Sequence, residues 1–387
     1  MRLKRNIWLM YAIALLQGMV FYGPIATLYR QSSGISIFQI TIIESISLAL
    51  CLLLEMPWGI VADKIGYRKT MVFCCWLYFL SKIVFWRATG FLGFLLERIM
   101  LSVIIAGLSG VESSILYLSC DKDESQKVFG IYNNLITTGL LLSAAVYTGI
   151  ASDDYRLSGL LTVVSYGLAA LLALGLREVR CNEVSRPSTI TEFLALLKQT
   201  LKNKHLLLFL IGIALLNETH QTITVFFNQL QYVSCGLSGV SIGKIYIAVT
   251  IIGLGGMFSA KLTRRFGVMP LSATLYAIAA ASCITLAFTR NAMLSIAAIM
   301  LLRLSFSLFQ PLQLDLQNKQ VATNNRATAL SINAVLIDSV GIGTNIIFGK
   351  LADADLASAM VFGAGACIVG LVLFAVWYRH YKQKIPR

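Results

Sequence analysis

The chain has 387 residues, of which 57% are hydrophobic and 13% charged, with a formal net charge of +14. That balance excludes a water-soluble globule with a polar exterior, so most of the surface must face lipid. The excess of Lys and Arg is spread over short connections and is not gathered into a groove with interleaved aromatics, which argues against nucleic-acid binding.

A membrane helix needs about 20 mostly apolar residues, and the chain reads as twelve such spans. The first half contains 7–29, 37–60, 70–88, 92–118, 128–150 and 157–177. The second contains 205–231, 241–260, 269–289, 292–316, 328–351 and 357–378. This divides the chain into a six-helix bundle over 1–178, a linker over 179–204 and a second six-helix bundle over 205–387, with nothing over for a soluble domain. The basic start, Met1-Arg-Leu-Lys-Arg5, is followed by an apolar run of span length without a small-residue cleavage site, so it is expected to be a retained first helix and not a signal peptide.

Alternate connections differ in charge. One side collects Arg2, Lys4, Arg5, Lys64, Arg68, Lys69, Lys122, Lys127 and the basic residues of the linker, then Lys261, Arg264, Arg265, Lys319 and Arg326. The other holds scattered Arg30, Arg87, Arg156, Lys244, Arg290 and Lys350. Cytoplasmic loops carry the excess, so both termini are expected in the cytoplasm. Cysteines offer no disulfide framework, and adjacent Cys74 and Cys75 lack metal-ligand spacing, which makes them packing thiols.

Between the second and third spans stands Gly59-Ile-Val-Ala-Asp63-Lys64-Ile-Gly66-Tyr-Arg68-Lys69, a tight charged turn. Half a chain later it returns in degraded form as Lys261-Leu-Thr-Arg264-Arg265-Phe-Gly267, with Arg264 where Asp63 stands. Glu97-Arg98 likewise parallels Arg303, and Gly149-Ile-Ala-Ser-Asp153 parallels Gly349-Lys-Leu-Ala-Asp353. Offsets near half the chain length indicate two related halves.

On these residues the chain resembles a major facilitator superfamily transporter over essentially its whole length. Gly59, Asp63, Gly66, Arg68 and Lys69 fill the family's loop signature Gly-x-x-x-Asp-x-x-Gly-x-Arg-Lys, and Arg98 followed by Gly107 and Gly110 is similar to its fourth-helix motif. The resemblance implies an all-α membrane fold of twelve transmembrane helices in two pseudo-symmetric six-helix bundles that rock about a midplane site. Helices one, four, seven and ten would line the cavity, and helices three, six, nine and twelve would face lipid. It further implies a monomer in a bacterial plasma (inner) membrane, with a small-molecule substrate, protons and the bilayer as partners and no cofactor.

Asp63 beside Arg68 and Lys69 can engage the positive N-terminus of a helix from the other half, and in the family this contact holds the inner gate shut. Glu112 and Asp315 are expected to join this charge latch or to be solvated loop charges. In the linker, Thr189 and Glu192 have capping-box spacing, and Phe193, Leu196, Leu197 and Leu201 form an apolar stripe near Lys198, Lys202 and Lys204. These predict an amphipathic helix on the inner membrane surface.

Ionisable groups deep in the spans mark pathways or buried pairs. By rise per residue, Glu44, Lys82, Glu97 and Arg98 fall at similar depth in the first half, with Lys82 and Arg98 as pairing partners and Glu97 and Glu44 as candidates to release a proton. In the second half Arg303 and Asp338 are placed to pair, and Glu218, with no obvious cation, is the leading proton carrier, with Asp338 a further coupling candidate. Candidate substrate-cavity residues are Gln17 and Tyr22 beside the bend-prone Gly23-Pro24, then Asn133 and Asn134, then Asn217, His220, Gln221 and Phe226, and Gln310. For any one Asn or Gln the alternative is an interhelical hydrogen bond. His220 is either a pH-sensitive group or a packed polar residue.

Three functions stay open. The leading one is proton-coupled efflux of small organic or amphipathic compounds, as in the bacterial drug/solute antiporters, favoured by dispersed acids without a compact recognition cluster. The second is proton-coupled symport of a specific metabolite such as a sugar, a peptide or a siderophore-like molecule. The third is a non-transporting receptor on a transporter fold. No Walker loop or His-Glu-x-x-His occurs in the sequence, and its one Gly-x-Ser-x-Gly string, Gly239-Val-Ser241-Ile-Gly243, stands at the start of an apolar span and not on a strand-to-helix elbow, so neither ATP-driven pumping nor enzymatic hydrolysis has support.

Overall fold

A computed structural model describes residues 4–108, 110–120, 125–151, 154–179, 197–320 and 326–384; within it, the side chains of Asp63 and Lys64 and a few others fall outside the described set. Among the described residues twelve helices are long and apolar enough to cross a membrane. They are α1 (Lys4–Ser32), α2 (Ile37–Leu54, within a helix reaching Ile65), α3 (Tyr67–Arg87), α4 (Gly90–Ser119), α5 (Lys127–Ile150) and α6 (Tyr155–Leu174). The second half repeats the pattern as α7 (Lys204–Ser234), α8 (Gly239–Phe266), α9 (Val268–Phe288), α10 (Ala292–Gln320), α11 (Ile332–Ala354) and α12 (Leu356–Gln383).

Several of these are not uniform rods. The α-helical part of α1 ends at Gly18, and after a turn the span resumes as a 3-10 segment Gly23–Ile25 and a helix Ala26–Ser32. Gly18 lies against the Ile136 carbonyl and Gly139 against the Leu15 carbonyl, so α1 and α5 cross with no room for a Cβ on either glycine. Gly110, at φ +80°, divides α4. π-helical turns open α5 at Tyr147–Ala151 and α7 at Thr222–Phe227, and a 3-10 segment Gly253–Phe258 interrupts α8. Such irregular turns concentrate at functional places in helices.

Two compact units are present. The first comprises Met1–Ile35, Ile46–Arg186 and Ser238–Ile247, and the second comprises Ser36–Ser45, Pro187–Leu237 and Ala248–Arg387. Met10, Ile13, Met71, Ile115 and Ala169 lie in the core of the first. The second has an aromatic core of Phe209, Tyr276, Phe309, Phe374 and Trp377, where the Tyr276 hydroxyl donates to the Gly212 carbonyl at 2.8 Å. Outward-facing apolar side chains include Phe73 and Leu80 on α3, Val164 and Leu171 on α6, Ile284 and Phe288 on α9, and Ile368 and Val372 on α12. A surface of this kind suits lipid and not water.

In the second unit the start of α2 packs on α11. The Phe38 amide donates to Asp353 at 3.1 Å, Thr41 covers Gly349, and the Ser45 hydroxyl donates to the Ile342 carbonyl at 3.3 Å. In the first unit the start of α8 packs on α5, with Gly243 against Tyr147 and Thr148. The proposed linker helix falls mostly on 180–196, outside the described residues; 197–202 is helical, with Lys198, Leu201 and Lys202 exposed.

Candidate functional site

Glu218 lies on α7 one turn before the π-helical segment and is buried. The Asn345 amide on α11 donates to its carboxyl at 3.4 Å, and the Thr222 hydroxyl donates to the other end of Asn345 at 2.8 Å. Gly341 makes room for the carboxyl, since a Cβ there would come 2.7 Å from it. Asp338 and Glu44 are within electrostatic reach. The Glu218 carboxyl is thus held by one amide, with two further acids in its surroundings.

His220, two residues on, is buried and stacks on Phe306 with ring centroids 3.9 Å apart and planes 8° from parallel. Arg303 Nη1 faces its Nε2 at 3.2 Å, and the Thr224 hydroxyl lies 3.1 Å from the same nitrogen. A guanidinium only donates, so Nε2 is the acceptor and the ring proton sits on Nδ1. That Nδ1 is buried without a hydrogen-bond partner among the described residues, as is Oδ1 of Asn217. Positions 217 and 220 share one face of the helix. Arg303 in turn lies on the backbone of the 3-10 break in α8, where Gly253 leaves no room for a Cβ.

The first unit holds a second polar cluster. Lys82 Nζ is 3.0 Å from the Tyr22 hydroxyl and 3.6 Å from Glu97 Oε1, with Lys82 and Glu97 only 5% and 1% exposed. Lys82 and Glu97, placed by depth in one group with Glu44 and Arg98, lie side by side. Glu44, assigned by depth to the same group, packs instead in the second unit. Arg98 is half-buried, and its charge acts on Tyr22 together with those of Glu97 and Arg30.

The charged turn has a role the sequence did not reveal. Gly66 adopts φ +103° and stands against the Glu178 carboxylate, which accepts the Arg68 amide at 3.1 Å. The Arg68 side chain donates through Nε to the Leu176 carbonyl at 2.6 Å and through Nη2 to the Leu174 carbonyl at 3.2 Å. The Leu174 carbonyl closes α6 and the Leu176 carbonyl follows two residues on, so a cation there satisfies both and complements the helix dipole. Lys69 is exposed, while the side chain of Asp63, like the surroundings of Gly59, falls outside the described residues.

Other nominated residues are dispersed. Asp315 pairs at 2.6 Å with Lys319 one turn along its own exposed helix face, and Glu112 shares a hydrogen bond with the Tyr132 hydroxyl. Gln17 donates to Cys75 Sγ at 3.5 Å, Phe226 is buried, and Asn133, Asn134, Gln221 and Gln310 are exposed. Asn345, Phe306 and Thr222 escaped the sequence reading. The signal was available for Asn345, which follows Asp338 by two helical turns on the same face. A cavity of about 560 Å3 opens among Tyr29, Thr89, Asp154 and Arg156 in the first unit, and none of the nominated residues lines it.

The sequence profile described as Major Facilitator Superfamily matches residues 7–344, most of the chain. The chain belongs to the major facilitator superfamily. Within it, a protein of Methanocaldococcus jannaschii described as an uncharacterized MFS-type transporter is 24% identical over 156 residues, a match spanning 40% of either chain. Among solved structures, a mutant of the nucleoside transporter NupG superposes with a TM-score of 0.84 at 16% identity, covering 96% of this chain and all of that one. A bacterial homologue of the human lysosomal transporter Spinster, inward-facing and unoccupied, gives 0.74 at 15% identity, covering 98% of this chain and 95% of that one. The protein is thus a multi-pass membrane protein of the superfamily fold.

Proposed function

We propose that this superfamily transporter couples proton movement to passage of a small polar organic solute by alternating access, with Glu218 as the proton carrier and the Asn217–His220 face of α7 as the recognition element. The observation that carries the reading is the pair of polar atoms without a partner among the described residues, His220 Nδ1 as donor and Asn217 Oδ1 as acceptor, on one helix face beside the buried acid. A buried donor or acceptor left without a partner costs about 1–3 kcal/mol, and a solute offering the complementary acceptor and donor recovers that cost. Amphipathic efflux is less well supported, because its argument was the dispersal of polar groups, and two compact clusters stand where dispersal was expected.

The coupling site is Glu218, with Asp338 and Glu44 sharing its proton and Glu97 neutralising Lys82. The halves before and after the 179–204 linker serve as the two moving bundles, both termini are cytoplasmic, and Asp63 with Lys69 latches the inner gate of a plasma-membrane protein. Nucleosides head the panel of test solutes because NupG is described as a nucleoside transporter, followed by sugars and short peptides. Saturable uptake of one polar class into proteoliposomes is expected, with Asn217→Leu and His220→Phe each raising its KM by about tenfold. Unsaturable or chemically indiscriminate flux, unchanged in both variants, would sink the reading.

A further inference from the structure

Lys82 is held in an unusual way for a buried cation. Its ammonium lies 5.2 Å from the ring centroids of both Tyr78 and Tyr166 and 5.7 Å from that of Tyr22. The three rings come from α1, α3 and α6, and Glu97 from α4 closes the fourth side at 3.6 Å. Ring packing makes the cage rigid: Tyr78 meets Tyr166 edge to face at 4.9 Å, and Tyr22 stacks on Phe85 at 4.0 Å. Aromatic faces closed by a carboxylate are the chemistry that selects organic ammonium ions.

The ion pair alone does not account for this geometry. Charge-assisted N–H···O bonds run about 2.7–2.9 Å, whereas Lys82 stands off at 3.6 Å and both Glu97 oxygens are buried without a hydrogen bond among the described residues. Its hydrogen bond goes to the Tyr22 hydroxyl at 3.0 Å. The ammonium therefore sits by the rings of Tyr78 and Tyr166 and at the hydroxyl end of Tyr22, held by aromatic residues more than by the acid.

We propose that Lys82 is a specificity-determining residue, a tethered cation that occupies an aromatic cage and denies it to organic ammonium ions, so that the transporter carries neutral or anionic solutes. The positive charges of Arg30 and Arg98, which also act on Tyr22, strengthen the exclusion. This rests on the transport reading above, but the property is one of binding and is tested without flux.

The test is equilibrium binding to the purified full-length protein of choline and of its uncharged isostere 3,3-dimethylbutan-1-ol. Wild type is expected to show no preference for choline. Lys82→Ala is expected to prefer choline by at least about tenfold, the yield of a desolvated cation–π contact, and Lys82→Ala with Glu97→Gln is expected to keep a weaker preference, because the rings remain and the closing carboxylate is gone. Saturable preference for choline in wild type overturns the proposal, and so does a folded Lys82→Ala protein without it. If Lys82→Ala does not run as a single species, Lys82→Gln serves in its place. Failure of solute flux in a protein whose Lys82→Ala form binds choline would count against the transport reading alone, and choline transport by wild type would count against the cage alone.

Discussion

Glu218 and Lys82 are both buried charged residues of membrane helices, yet the work proposed for them differs with their surroundings. Glu218 has a neutral amide from Asn345, a glycine at its carboxyl and other acids in reach, an arrangement suited to taking up and releasing a proton. Gly341→Ala tests how finely the carboxyl is placed. The nearest atoms to its new Cβ would be the end of a flexible side chain, so the variant is expected to fold while solute-driven proton flux falls by about tenfold or more. Unaltered flux would show that the carboxyl position is unimportant. Gly66→Ala acts on stability instead. At φ +103° and ψ 145° the backbone is in a region left almost entirely to glycine, and the Glu178 carboxylate is in the way. A loss of about 1–3 kcal/mol is expected, read as a lower unfolding temperature in detergent, whereas an unchanged temperature would mean that the turn relaxes freely.

At the level of elements, close crossings and caps set the geometry. The α1–α5 crossing tolerates only glycine at positions 18 and 139, and Gly139→Leu is expected to abolish the single-species fraction on size exclusion because the new side chain would meet backbone. Asp355 caps α12, accepting from the Ala357 amide at 3.3 Å and the Ser358 amide at 3.1 Å. These amides hold its carboxyl below the ordinary value of 3.8. A depressed folded-state value gives stability that is present above the unfolded-state value and is lost as pH falls through the folded one. Asp355→Ala should therefore lower the unfolding temperature at neutral pH, with the gap to wild type closing as pH is taken well below 3.8. A gap independent of pH would assign the effect to something other than the charged cap.

For the whole molecule, hydropathy over runs of about 20 residues was enough to read twelve spans, because lipid forces each backbone to satisfy itself within one helix. The loop signature and the half-chain repeats were enough for the superfamily. Helix interruptions were only partly legible: Gly23-Pro24 flagged the bend in α1, but the break begins at Gly18, where contact with α5 decides it. Depth could gather Glu44, Lys82, Glu97 and Arg98 into one group but not say which of them meet, and partners that depend on rotation about the helix axis were illegible, as for His220 with Arg303 or Arg68 with the end of α6. Asn345 and Phe306 were missed because a single Asn or Phe in a membrane span has many ordinary uses.

Proton coupling through Glu218 is the central claim, and lumenal pH in proteoliposomes tests it most directly. With the polar solute that saturates uptake, wild type is expected to move protons on solute addition. Glu218→Gln is expected to lose that response while still exchanging labelled for unlabelled solute across the bilayer. Proton movement that persists in Glu218→Gln, or solute flux in wild type that leaves lumenal pH untouched, would contradict the account.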